Sequence, residues 1–329
     1  MARSRRPRRS IVRRVYPALA LGGLTVAAAR PPAPRLPSAP PPTTGFTVRY
    51  RDVISPGGVR AFTVLPGETA TFEVANQTPG LGYVAQPSTG RMVSLGTGGR
   101  WAWTAPLAPG LYPIQIVAAD GSDSVTLQAF VLIPYARLQG ELLNGYRIGR
   151  YPEKSRPGAR HAPPVGFVEV TRENEGMLVS PHFRLGQFLC KQPAGARKYV
   201  VLNERLLVAL EYVLERVHAA GYRATTFHVM SGYRTPAYNR ALGNVVYSQH
   251  QWGAAADIFI DENGDGRMDD LNGDGRSDVR DAEVLYRIID AAAARPEAQG
   301  LIGGIGKYPP TAAHGPFVHV DVRSGHARW

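Results

Sequence analysis

Ser248-Gln-His250-Gln-Trp-Gly253-Ala-Ala-Ala-Asp257-Ile-Phe-Ile260 is the stretch that decides how the carboxy-terminal half folds. An imidazole and a carboxylate seven residues apart cannot face one site from a single straight helix. They can if a tight turn at Gly253 leads into a strand. Ala254 to Ala256 let that backbone pack closely, and Ile258-Phe259-Ile260 continue it as a buried strand. Far downstream, Phe317-Val-His319-Val-Asp321-Val322 alternates, so a second strand presents His319 and Asp321 on one face. Two imidazoles and one carboxylate with a fourth position open make the ligand set of a catalytic zinc. Spacing alone leaves a second reading open, that of histidines satisfied within a core. His161, His182, His218, His228 and His326 take that ordinary reading.

Working outward, the surrounding sequence is mixed α/β. Asn203 is placed to cap a helix whose inner face is Leu206, Leu207, Leu210, Val213, Leu214 and Val217, with Gly221 as its stop. Thr226 to Met230 predicts a strand. Thr235-Pro236 opens a short helix that Gly243 ends. Asp281 is expected to cap a last helix, with Val284, Leu285, Ile288 and Ile289 inward.

The amino-terminal half has another texture. From 44 to 135 short alternating runs (Phe46–Tyr50, Ala61–Leu65, Ala70–Val74, Tyr112–Val117, Val125–Ile133) are separated by Pro-Gly and Asp-Gly turns. That spacing predicts an all-β immunoglobulin-like sandwich. Trp101 and Trp103, two apart, share one sheet face and are expected in its core. Residues 136–164 read as a connector and 165–329 as a second, α+β domain. Residues 30–43 form a Pro-rich spacer. Residues 1–29 read as an export signal, either cleaved after Ala27-Ala28-Ala29 or kept as an anchor. The apolar run from Tyr16 to Ala29 is short of the roughly 20 residues that span a bilayer.

The 329 residues carry a net charge of +12. Seven arginines lie in the first fourteen residues, and without them the charge falls to about +5. No basic helix remains to hold nucleic acid. The mild positive charge suits an anionic wall polymer instead. Cys190 is the one cysteine, which excludes an internal disulfide.

The pattern Ser248-x-His250-x-x-Gly253-x-Ala255-x-Asp257 with a distant His319 resembles the zinc D-Ala-D-Ala carboxypeptidase family. That family also holds the vancomycin-resistance D-Ala-D-Ala dipeptidase, phage cell-wall peptidases, murein endopeptidases and hedgehog signalling domains. Ser231-Gly-Tyr-Arg234-Thr-Pro-Ala-Tyr-Asn239 is similar to its S-x-Y-R segment. Ser180-Pro-His-Phe183-x-Leu185-x-x-Phe188-x-Cys190 is similar to its opening strand and turn. Gly303-Gly304-Ile305-Gly306-x-Tyr308, Phe317-Val-His319-Val-Asp321 and Ala327-Arg328-Trp329 look most like the murein endopeptidase branch. The resemblance covers about 165–329.

By that resemblance His250, Asp257 and His319 hold zinc, and a water takes the fourth position. Arg234 would stabilise the developing oxyanion. Ser231, Tyr233 and Ser248 would bind substrate. The family's better-known members carry an acid three residues before the last histidine, where this chain has Pro316. Asp321 or His314 could stand in as general base, and Asp321 could equally orient the ring of His319.

A second metal signal lies in 261–281. Calcium loops set oxygens at positions 1, 3, 5, 7, 9 and 12, with Gly at 6. One register takes Asp261, Asn263, Asp265, Gly266, Arg267 through its carbonyl, Asp269 and Asn272. The other takes Asp270, Asn272, Asp274, Gly275, Arg276, Asp278 and Asp281. The segment resembles dockerin calcium loops more than full EF-hands, with one ion or two.

The expected protein is therefore exported to the periplasm or cell envelope, with an amino-terminal β-sandwich and a carboxy-terminal zinc peptidase domain. It would cleave stem or crosslink peptides of peptidoglycan, with structural calcium nearby and membrane contact only through a retained anchor. The other readings are a metal-binding wall module without turnover and, more remotely, a calcium-dependent adhesion protein.

Overall fold

The computed structural model describes residues 45–51, 53–55, 58–96, 98–153 and 162–329. The expected export signal, the Pro-rich spacer and His161 lie outside them. Among the described residues no helix is long and apolar enough to cross a membrane.

The amino-terminal runs form two sheets. One orders Val53–Ser55, Val48–Tyr50, Thr69–Val74, Arg100–Thr104 and Arg91–Ser94. The other orders Val59–Val64, Ser124–Val131, Gly110–Ala118 and Tyr83–Pro87, its first pair parallel. Alternation turns Val48, Phe72, Trp101 and Trp103 of the first sheet into one apolar core with Phe62, Ile114, Ile116 and Leu127 of the second. Trp103 is fully enclosed, and its indole N–H donates to the Thr89 carbonyl at 2.8 Å. That bond removes the cost of burying the polar edge.

The second sheet meets the carboxy-terminal half directly. Helix α1 (Glu204–Ala219) begins where Glu204 accepts from the Thr63 backbone N–H at 2.9 Å and pairs with buried Arg60 at 3.5 Å. The Ala61 N–H donates to the Val179 carbonyl at 2.7 Å, and Ala61, Phe130 and Leu132 belong to the same apolar cluster as Leu206 and Leu210. The described residues, 45 to 329, belong to one compact unit.

In the carboxy-terminal half a five-stranded sheet runs His228–Ser231, Ala255–Phe259, Phe317–Asp321, Gly304–Tyr308, Ala327–Arg328. All pairs are antiparallel except the last. Ile258, Ile305, Val318 and Val320 share a core with α1 and with α3 (Val279–Ala293) through Leu285 and Ile289. Each enclosed Leu or Ile contributes about 1.5–3 kcal/mol. The alternate residues, Asp257, His319 and Asp321, project from the opposite face. Asn203 caps α1, accepting from the Arg205 N–H. Thr235 caps α2 (Pro236–Ala241) through the Tyr238 N–H. The cap expected at Asp281 is three residues early. Asp278 is the N-cap of α3, and Asp281 closes a capping box from the third position of the helix.

Candidate metal centre

Three side chains reach one point from two strands and a turn. Asp257 and His319 are direct partners across the Ala255–Phe259 and Phe317–Asp321 pair, so they lie side by side on one face. His250 comes from the one-turn helix Gln249–Trp252, which ends at Gly253 in the left-handed region, φ 61°. A Cβ there would also run into the Val201 carbonyl, so only glycine fits the turn. His319 Nδ1 lies 2.8 Å from Asp257 Oδ1, and His250 Nε2 lies 3.2 Å from both. All three side chains are buried.

Each ring nitrogen that faces the centre is freed by a bond on the other. His250 Nδ1 donates to the Gly232 carbonyl at 2.7 Å, which leaves Nε2 as the acceptor. His319 Nε2 donates to Asp321 Oδ2 at 3.1 Å, which leaves Nδ1. Arg234 holds Asp257 Oδ2 and is itself held by Ser231 Oγ at 2.7 Å, so Asp257 Oδ1 turns to the histidines. Burial disfavours a charged Asp257, yet His250 and His319 outweigh it and keep the carboxyl far below the usual range. Burial pushes the His250 imidazole down. Burial also opposes charge on His319, but Asp257 and Asp321 raise it on balance. The buried nitrogen, nitrogen and oxygen donors, with their outer bonds already made, fit zinc.

The other expected site residues fare differently. Asp321 is fully buried. Its Oδ1 accepts from the Gly304 N–H at 3.0 Å and from Arg323, and its Oδ2 is taken by His319 and Arg323. The hydrogen bonds of Asp321 hold the far nitrogen of the His319 ring, on the side away from the converging group. His314 packs edge-on against Phe317, 5.0 Å between rings, and its Nδ1 donates to the Gly315 carbonyl at 2.8 Å. It does not join the converging group. Tyr233, expected at the substrate, is 1% exposed. Its hydroxyl meets that of Tyr151 at 3.0 Å, and Tyr151 donates to the Gln251 carbonyl at 3.0 Å, which braces the His250 turn. Ser248 is buried at the start of that turn, and Ser231 positions Arg234. Arg323, Tyr151 and the Gly232 carbonyl escaped the sequence reading. Only Arg323 left a signal there, a basic residue two past Asp321, just beyond the end of the strand.

In 261–281 most carboxylates accept hydrogen bonds from the chain itself, while Asp261 Oδ1 meets no partner among the described residues. Asp261 Oδ2 accepts from the Gly266 N–H at 3.0 Å, and Asp270 Oδ2 from the Gly275 N–H at 2.6 Å. Asn263 and Asn272 accept from Asp265 and Asp274, and these accept in turn from Arg267 and Arg276. Asp269 accepts from the Glu262 N–H at 2.9 Å. Asp281 accepts from Leu271, Asn272 and Asp278, and Arg280 pairs with Asp274 and Asp278. Among the described residues the one group of three or more acidic, histidine or cysteine side chains gathered closely enough for a metal is His250, Asp257 and His319.

Residues 181–272 match the family model described as Peptidase M15. The match takes in Arg234, His250 and Asp257 and ends before His319. It supports the M15 zinc peptidases as the class to which this half is similar, and with it a hydrolase. No curated protein matches the chain.

Proposed function

We propose that the chain is an exported zinc metallopeptidase that cuts stem or crosslink peptides of peptidoglycan, as a D,D- or L,D-endopeptidase or carboxypeptidase. The observation that carries this is the meeting of His250, Asp257 and His319 within hydrogen-bond distance, with Arg234 beside them. His250, Asp257 and His319 would hold the zinc, which would supply Lewis-acid polarisation of a carbonyl and a water acidified toward a pKa of about 7. The chain's own groups do the rest. Gly232 and Asp321 fix the two imidazoles, and Arg234 aims Asp257. The guanidinium of Arg234, beside Asp257, would also receive negative charge developing on the peptide oxygen. The amino-terminal sheets, proposed here as an immunoglobulin-like sandwich, would form the base on which α1 is seated. Purified protein incubated with cross-linked muropeptides, zinc-loaded and chelated, tests the proposal. Zinc-dependent release of new peptide termini is expected, and intact substrate with stoichiometric zinc bound would overturn it.

That last outcome would leave the second reading, a metal-binding wall module without turnover. The enclosure of Asp321 favours it, since neither expected base stands at the metal. A separate proposal concerns calcium on 261–281. It is supported by the spacing of the acidic residues and by Asp261 Oδ1, which is buried without a hydrogen-bond partner. Thermal unfolding with calcium and with chelator tests it, and equal melting temperatures would dismiss it.

A further inference from the structure

Strand register sets a row of side chains across the sheet face that bears the metal centre. Ser231 pairs with Asp257, Asp257 with His319, and His319 with Gly306, so these four positions point the same way. Three carry side chains of the centre or of its arginine support. Gly306 carries none, and the indole of Trp329 fills its place. A Cβ on Gly306 would collide with that indole. The ring is fixed on several sides. Trp329 donates its backbone N–H to Ile305 at 3.2 Å and accepts from Lys307 at 3.1 Å. Its indole N–H donates to the Tyr308 hydroxyl at 2.6 Å. Its ring centre lies 5.3 Å from that of His319, and the Arg323 guanidinium sits 5.4 Å from it. With these contacts made, the residue as a whole is still 45% exposed.

Arg234 therefore bounds the metal centre on one side of the row and Trp329 on the other. Arg323 spends Nε and Nη2 on Asp321, and among the described residues its Nη1 has no acceptor, so it can take a further one. We propose that Trp329, with Arg323 beside it, forms the wall that reads the substrate next to the scissile bond. It would take an aliphatic segment on the indole and a carboxylate on the guanidinium. An exposed, pre-fixed aromatic face offers apolar area at little ordering cost. This rests on the zinc peptidase reading and adds to it a specificity-determining residue and a substrate chemistry.

The test compares wild type, Trp329→Ala and Trp329→Phe on cross-linked muropeptides with free or amidated carboxylates, with zinc content measured in each. Trp329→Ala is expected to raise KM about tenfold while kcat stays within about twofold and zinc stays stoichiometric, and Trp329→Phe to recover most of the loss. Wild type should show a raised KM for the amidated peptide. An unchanged KM in Trp329→Ala, no discrimination by wild type, or a fall in kcat together with zinc loss would each overturn the wall. Should wild type prove inactive, the peptidase reading fails separately. Calorimetric binding of the same peptides then decides. Weaker binding by Trp329→Ala supports the wall, and equal affinity or none in wild type overturns it.

Discussion

Two regions dense in metal-ligating side chains lie within a few residues of each other, and they are built in opposite ways. In the first, His250, Asp257 and His319 come from distant parts of the chain. Their outer atoms are tied to Gly232, Arg234 and Asp321, so the inner ones converge on one another with no other partner among the described residues. In the second, Asp261 to Asp281 are neighbours in sequence, and most carboxylates accept from a backbone N–H of the same segment, Asp261 and Asp270 from five residues on and Asp281 from as far as ten residues back. Ligand density therefore says little about a metal. What matters is whether the surrounding structure has bound the outer lone pairs and left the inner ones facing a common point. Asp321 and Asp281 make the contrast sharp. Both are wholly buried carboxylates. One serves an imidazole at the centre, and the other serves the end of a helix.

The largest expected effect breaks the first region. His319→Ala removes one of three ligands and should lower zinc occupancy at micromolar metal to near zero, with activity down by about a thousandfold or more. Metal analysis of the purified variant checks it, and full occupancy would disprove the assignment. Next is Arg234→Ala, which frees Asp257 Oδ2. It should weaken zinc binding by about 10–100-fold, and at saturating zinc lower kcat by about a hundredfold. Loss of affinity with a normal saturated rate would leave Arg234 as a support for Asp257 alone. Asp321→Asn should cost about tenfold in zinc affinity, because an amide can present the wrong atom to His319 Nε2, while the fold remains.

In the second region, Asp281→Ala should cost about 2 kcal/mol in urea unfolding, since it strips acceptors from three backbone N–H groups, and leave zinc affinity unchanged. A shift in zinc binding would show that the two regions are coupled. The smallest effect concerns pH. The Gly275 N–H above all, with those of Gly273 and Asp274, holds the Asp270 carboxyl below its ordinary value. A depressed folded pKa gives stability that is present above the unfolded pKa and lost as pH falls through the folded one. In calcium-free buffer, amide exchange at 273–275 should accelerate only in acid below the usual carboxylate range. Asp270→Asn should remove that dependence.

Much of this was legible beforehand. Alternation placed His319 and Asp321 on one strand face, Gly253 announced the turn before Asp257, and Asn203 and Thr235 marked helix starts, because each depends on neighbours in the chain. Roles within the site did not follow in the same way. Asp321 read equally as base or as orienter, and the sequence held nothing to show that Gly304 and Arg323 would enclose it. Tyr233 stood in a promising motif, and only the packing of Tyr151 revealed it as a brace. The cap of α3 was misplaced because Asp278 and Asp281 both suit the task, and the difference lies in which of them Leu271 and Asn272 approach.

The sequence by itself determined the metal-binding residue types, their spacing and the period-two faces that carry them, since these rest on covalent geometry and local backbone preference. Tertiary structure alone decided which lone pairs point inward, that Gly306 yields its place to the Trp329 indole, and which backbone amides the carboxylates of the acidic loop accept from. Those outcomes depend on strand register and on burial between segments far apart in the chain, where every enclosed polar atom must find a partner.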